Sequence, residues 1–127
     1  MKYLLDTHVA KWALDDDAKV SGKTKSILED TSLQICISLA SAWEIAIKIS
    51  VGKLSIEGGS AFFIEKLRRL GVELLHVEVE HIAIVEKLPL LHRDPFDRIL
   101  ISTAIAEHMT IITADENIQK YDVPWIW

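Results

Sequence analysis

The sequence predicts an α/β fold, a three-layer α/β/α sandwich around a central parallel sheet, and three observations predict it. Short apolar runs alternate with longer helical patterns along the chain. The runs are almost continuously hydrophobic, as strands covered on both faces are. With 127 residues, half of them hydrophobic, the chain can bury one sizeable core and is too short to divide comfortably into two, so one domain spanning 1–127 is expected.

Taken in order, residues 2–6 are a short apolar run ending in an acid, and residues 34–38 a β-branched-rich run ending in Ser38; both read as buried strands, as do 73–77 and 110–113. Helical patterns fill the spaces at 9–14, 22–30, 40–51, 60–70, 79–88 and 95–108. Glu57-Gly58-Gly59-Ser60 is a turn before a helix rather than a phosphate loop. Val123-Pro124-Trp125-Ile126-Trp127 fits a last strand at an edge, where proline is tolerated.

The remaining composition narrows the function. A charged fraction of 26% without low-complexity stretches or internal repeats argues against disorder. Asp6 interrupts the N-terminal apolar run before a signal-peptide core can form. The longest weakly charged run, 33–43, is about half of what a membrane-spanning helix needs, so no membrane segment is expected. The single cysteine, Cys36, reads as a small core residue, which fits a reducing cytoplasm. The net charge of −5 is unusual for a protein acting on phosphates. Acids gathered around a cation would account for part of it, and Lys48 with Lys53, or Lys66 with Arg68 and Arg69, offer basic patches.

Right-handed crossovers bring the carboxyl ends of all strands to one edge, where open α/β sheets bind ligands. The sequence sends acids there. Asp6 ends the first strand, Glu44 lies one to two turns into the helix after the second, and Asp97 sits in the first turn of the helix opened by Asp94-Pro95. Asp115 follows the fourth strand. Carboxylates packed together repel unless protonated or bridged by a cation. Oxygen ligands without His or Cys suit Mg2+ or Mn2+, which lower the pKa of bound water and orient it for attack on a phosphodiester. Metal-dependent phosphodiester hydrolysis is the reaction class this predicts.

Several of these residues also have a local structural reading. Asp94 fits a helix N-cap before Pro95, Asp97 could close a capping box, and Asp115 could cap a short helix through Lys120. Asp6 and Glu44 are harder to explain without a partner, because a carboxylate in an apolar segment costs several kcal/mol. The five histidines lack zinc spacing, the four tryptophans fit core or interface, and Ser38 and Ser41 fit a helix start.

The chain resembles the PIN-domain nucleases, specifically the VapC-type toxins of toxin-antitoxin modules. The likeness spans essentially the whole sequence. It rests on Leu4-Leu5-Asp6-Thr7-His8 with Trp12, on Ser41-Ala42-Trp43-Glu44-Ile45-Ala46-Ile47-Lys48 leading to Gly52-Lys53-Leu54, on His92-Arg93-Asp94-Pro95-Phe96-Asp97-Arg98, and on Thr113-Ala114-Asp115. The resemblance implies metal-dependent cleavage of RNA leaving a 5′-phosphate, and a homodimer held inactive by a cognate antitoxin. It implies metal binding by Asp6, Glu44, Asp97 and Asp115, with Thr7 and Asp94 in support and Arg98 orienting an acid or meeting a phosphate. Two competing folds with acidic pockets fit worse. A receiver domain needs paired acids after the first strand and an Asp ending a middle strand, and a haloacid-dehalogenase-like phosphatase needs an acid where His8 stands. A PIN nuclease acting without an antitoxin, or a non-catalytic binding module on this fold, stays open.

Overall fold

The computed structural model describes residues 1–127. Five strands form one parallel sheet: β1 (Lys2–Leu5), β2 (Gln34–Ser38), β3 (Glu73–Leu75), β4 (Thr110–Ile112) and β5 (Trp125–Ile126), in the order β3-β2-β1-β4-β5. Seven helices connect them: α1 (Thr7–Leu14), α2 (Gly22–Glu29), α3 (Leu39–Ser50), α4 (Gly59–Arg69), α5 (Val79–Val85), α6 (Pro95–Glu107) and α7 (Glu116–Gln119). The expected three-layer α/β/α architecture is present, with β5 at the edge.

Alternation along each strand divides the core in two. Tyr3, Leu5, Ile35, Ile37 and Ile112 point to one side, where Val9 of α1, Ile45 of α3 and Phe63, Ile64 and Leu67 of α4 cover them. Leu4, Cys36 and Ile111 point to the other, against Leu100, Ile101 and Ala104 of α6 and Ile118 of α7. Cys36 is buried, and burial pushes its thiol up to about 11, which suits an inert core residue.

The chain steps from β1 outward to β2 and β3, then crosses back to lay β4 on the other flank of β1. Connections after β1 and β4 therefore diverge, and this reversal opens the crevice in which ligands sit on open α/β sheets. The backbone N–H of Asp6 still bonds Ile112 O at 3.0 Å, so the two strand ends stay in register up to the crevice.

Several element boundaries differ from the sequence reading for local reasons. The first helix begins at Thr7 rather than at 9, because Asp6 already occupies its N-cap position with φ −63° and ψ 144°. The fifth helix ends at Val85 rather than 88, ahead of Pro89. The turn before α4 needs glycine: Gly58 has φ +75°, and a Cβ there would lie 2.5 Å from that of Phe62.

Candidate active site

Asp6 leaves β1 at the crevice and is 3% exposed. Its side chain makes no cap bond; instead Oδ2 accepts a 2.9 Å hydrogen bond from Thr113 Oγ1, which also accepts from the backbone N–H of Asp115 at 3.0 Å. Thr113, not singled out from sequence, thus ties the end of β1 to the loop after β4. Burial raises the pKa of Asp6; the Thr113 bond and His8 oppose this, while the charges of Asp115 and Glu44 reinforce it.

Glu44 is 4% exposed on α3, whose N-cap Ser38 accepts from Ala40 N–H through its side chain. Its Oε2 accepts from Lys48 Nζ at 2.8 Å, one helical turn on. Nearby, Thr7 Oγ1 donates to Ser41 Oγ at 2.7 Å, pinning α1 to α3 beside the two acids. The expected helix-start role of Ser38 is present, and Ser41 packs as a buried hydroxyl partner.

Asp94 is the N-cap of α6, as its sequence context predicts: its Oδ1 accepts from Phe96 N–H and Asp97 N–H, with Pro95 opening the helix. Asp97 closes no capping box. Its Oδ2 accepts from His92 Nε2 at 3.0 Å, and His92 Nδ1 in turn accepts from the Tyr121 hydroxyl at 2.8 Å, the tautomer following from these partners. Burial pushes Asp97 up to about 7; the His92 bond opposes this, and the charges of Asp94, Asp6 and Asp115 add to it. Asp115 does cap the short α7, accepting from Asn117 N–H at 2.8 Å, while its charge still bears on both Asp6 and Asp97.

Arg98 stands apart from this group. Its guanidinium donates to Pro89 O and to the Tyr121 hydroxyl, each at 2.9 Å, and reaches Val85 O and Leu88 O at 3.4 and 3.5 Å. It secures the end of α5 and the loop after it, and meets Asp97 only through Tyr121 and His92. Of the expectation that Arg98 orients an acid or meets a phosphate, the structure shows this indirect link to Asp97, with the rest of the guanidinium bonding carbonyls. His92 and Tyr121 were missed because their roles arise only when residues 29 positions apart meet.

Mutual electrostatic influence links Asp6, Glu44, Asp97 and Asp115 into one cluster at the sheet's carboxyl edge. The acids do not close into a ready-made cage, for no three His, Cys, Asp or Glu side chains are spaced to hold an ion by themselves. Mg2+ ordinarily keeps several waters and takes one or two carboxylates, so an open set of oxygen donors is chemically suited to it. Of the four acids only Glu44 has an ammonium partner, Lys48; Asp6, Asp97 and Asp115 pair with no lysine or arginine, and Asp97 meets the His92 imidazole.

The model of the PIN domain matches residues 3–124. Ribonuclease VapC16 of Mycobacterium tuberculosis is 39% identical over 67 residues, which are 52% of this chain and 48% of that protein; the chain thus matches about half the length of this curated relative. Among solved structures, VapBC2 from Rickettsia felis bound to a promoter DNA fragment superposes with a TM-score of 0.75 at 19% identity, covering 99% of this chain and 98% of that one. DNA-bound VapBC from Salmonella typhimurium gives 0.75 at 15% identity, covering 99% and 97%. These similarities establish the shared fold. The family match runs from within β1 to the threshold of β5 and takes in every acid of the crevice: this chain belongs to the PIN-domain family.

Proposed function

We propose that this protein is a ribonuclease dependent on Mg2+ or Mn2+, acting as the toxin of a toxin-antitoxin pair. The observation that carries the reading is the cluster of four linked carboxylates at the crevice, two of them desolvated, above their ordinary pKa, and paired with no lysine or arginine. Sequence similarity to a ribonuclease and structural similarity to toxin-antitoxin complexes support the choice of substrate and partner.

In this reading Asp6, Glu44 and Asp97 would hold one cation together with its bound waters, and Asp115 would hold it through water or help to bind a second. The cation would supply a water acidic enough to attack phosphorus and stabilise charge on the departing oxygen. Water would add at phosphorus as the bond to the 3′ oxygen breaks; one fragment would keep a 5′-phosphate, and the departing oxygen would take up a proton to leave a 3′-hydroxyl on the other. The chain's own residues position the carboxylates. Thr113 fixes the rotamer of Asp6, His92 with Tyr121 fixes that of Asp97, and Lys48 balances Glu44.

A homodimer belongs to the same proposal. Leu39, Trp43 and Ile47 lie four residues apart on α3 and are 41%, 64% and 37% exposed, with Trp43 meeting Phe96 edge to face. By contrast, Phe63, Ile64 and Leu67 of α4 are buried within the chain, so the exposed apolar surface of these two helices falls mainly on α3. No helix is long and apolar enough to cross a membrane, and the lone thiol fits a reducing cytoplasm.

The test is cleavage of RNA by the purified protein with Mg2+, with Mn2+ and with chelator, beside the Asp6→Asn variant. Cleavage that needs the metal and vanishes in the variant is expected. Parental activity in Asp6→Asn would refute the assignment.

A further inference from the structure

A second feature adjoins the acids and is opposite in sign. A cavity of about 220 Å³ is lined by Thr7, His8, Lys11, Ile45, Lys48, Lys53 and Leu54. Four of these residues are basic and none is acidic, in a chain whose net charge is −5. The lysines converge through backbone geometry. After α3, Gly52 adopts φ +75°, its N–H bonds Ile49 O at 3.1 Å, and Lys53 N–H bonds Lys48 O at 2.9 Å, so the chain folds back and sets Lys53 beside Lys48. Lys11 approaches from α1, its Nζ 2.8 Å from Asp15 on the exposed surface. Lys53 Nζ makes no ion pair. The cavity joins the acid cluster on two sides: Lys48 Nζ lies 2.8 Å from Glu44 Oε2, and Thr7 and His8, which line it, follow Asp6 directly in the chain.

We infer that this basic cavity is a phosphate subsite, which binds a backbone phosphate of the RNA strand flanking the bond held at the acids. The inference rests on the ribonuclease reading and deepens it. A polyanion approaching four carboxylates is repelled, and pairing with phosphates both positions a nucleic acid and supplies most of its affinity. An ammonium cluster immediately beside the acids provides that pairing. Ordinary helix-end lysines would only offset the dipole of α3, and that role alone predicts no effect on RNA.

The experiment uses the Asp6→Asn protein, to prevent cleavage, with and without Lys11→Ala and Lys53→Ala together. Lys48 is left intact because it also balances Glu44. Binding of a short single-stranded oligoribonucleotide is followed by fluorescence anisotropy over a range of salt concentrations, beside an acidic peptide of equal charge. Removing one lysine that neutralises a phosphate should lower the slope of log affinity against log salt by about 0.7. Because the cavity takes one phosphate, removing both lysines should reduce the slope by about 0.7 in total and weaken RNA binding about tenfold at low salt. Lys53→Arg should restore part of it, and Mn2+ affinity of the protein with Asp6 intact should not follow the lysines. An unchanged slope, or lysine-dependent binding of the peptide but not of RNA, would overturn the subsite. A chain with Asp6 intact that cleaves RNA while the lysine variants bind normally would sink the subsite alone. Absence of cleavage with lysine-dependent RNA binding would sink the nuclease reading and leave the phosphate site standing.

Discussion

The two ends of the sheet bury their side chains equally well and fill them with opposite chemistry. At the carboxyl end the buried groups are Asp6, Thr7, Ser38, Ser41, Glu44, Asp97 and Thr113. On the α1, α2 and α4 side, toward the amino ends of β2 and β3, an apolar cavity of about 390 Å³ is bounded by Leu28, Leu33, Ile35, Leu67 and Val72. Every buried side-chain nitrogen or oxygen in the chain has a hydrogen-bond partner, so the carboxyl end is ordered, but its order is electrostatically strained: desolvation raises both Asp6 and Asp97. Apolar packing dominates toward one end, and desolvated carboxylates gather at the other.

The sharpest way to break this contrast is Asp97→Asn. It should lower RNA cleavage at least about a thousandfold, a barrier increase of about 4 kcal/mol, while the far-UV spectrum and thermal midpoint of the metal-free protein hold or rise. A variant that unfolded would show that Asp97 sustains the fold. At the other end, Leu67→Ala should remove about 3 kcal/mol of stability by enlarging the apolar cavity, measured by denaturant titration, without altering Mn2+ affinity.

The third expectation concerns pH. In the folded, metal-free protein Asp97 holds its proton up to about 7 against an ordinary 3.8. Between those values the folded state binds more proton than the unfolded chain, so stability from this group is fully present below 3.8 and lost as pH rises through about 7. The full shift corresponds to about 4 kcal/mol, and solvent screening of this partly exposed carboxylate reduces the expected decline to roughly 2 kcal/mol, flattened by Asp97→Asn or by added Mn2+. A curve identical in parent and variant would contradict it. The smallest effect should come from Thr113→Val, which leaves Asp6 without its hydroxyl donor: Mn2+ affinity, followed by calorimetry, should fall about tenfold.

How much of this was legible in sequence follows from how each residue earns its place. Asp6 and Glu44 announce themselves because a carboxylate inside an apolar run has no local reason to be there, and Asp94-Pro95 states its own helix start. The strands and their parallel order follow from runs too apolar for a sheet with one wet face. Thr113, His92 and Tyr121 carry no such local signal; their hydrogen bonds exist only once β4 lies beside β1 and α6 meets the loop before it. Arg98 reaches Asp97 only through Tyr121 and His92 for the same reason: adjacency in sequence does not set the direction of a long side chain, which here runs mainly to carbonyls of α5 and the loop after it. Asp115 fits both of its readings at once, a helix cap whose charge still reaches the cluster.

The hydrogen bond from Thr113 to Asp6 spans 107 positions of chain. Translation delivers Asp6 early and the strand that must flank it very late. A ribosome therefore carries a polypeptide bearing Asp6 through most of its synthesis, joined by Glu44 and only late by Asp97, while β1 still lacks one of its neighbours. Reactive geometry arrives only after α6 has emerged and β4 has docked, so truncated products inherit the acids without the arrangement that makes them useful.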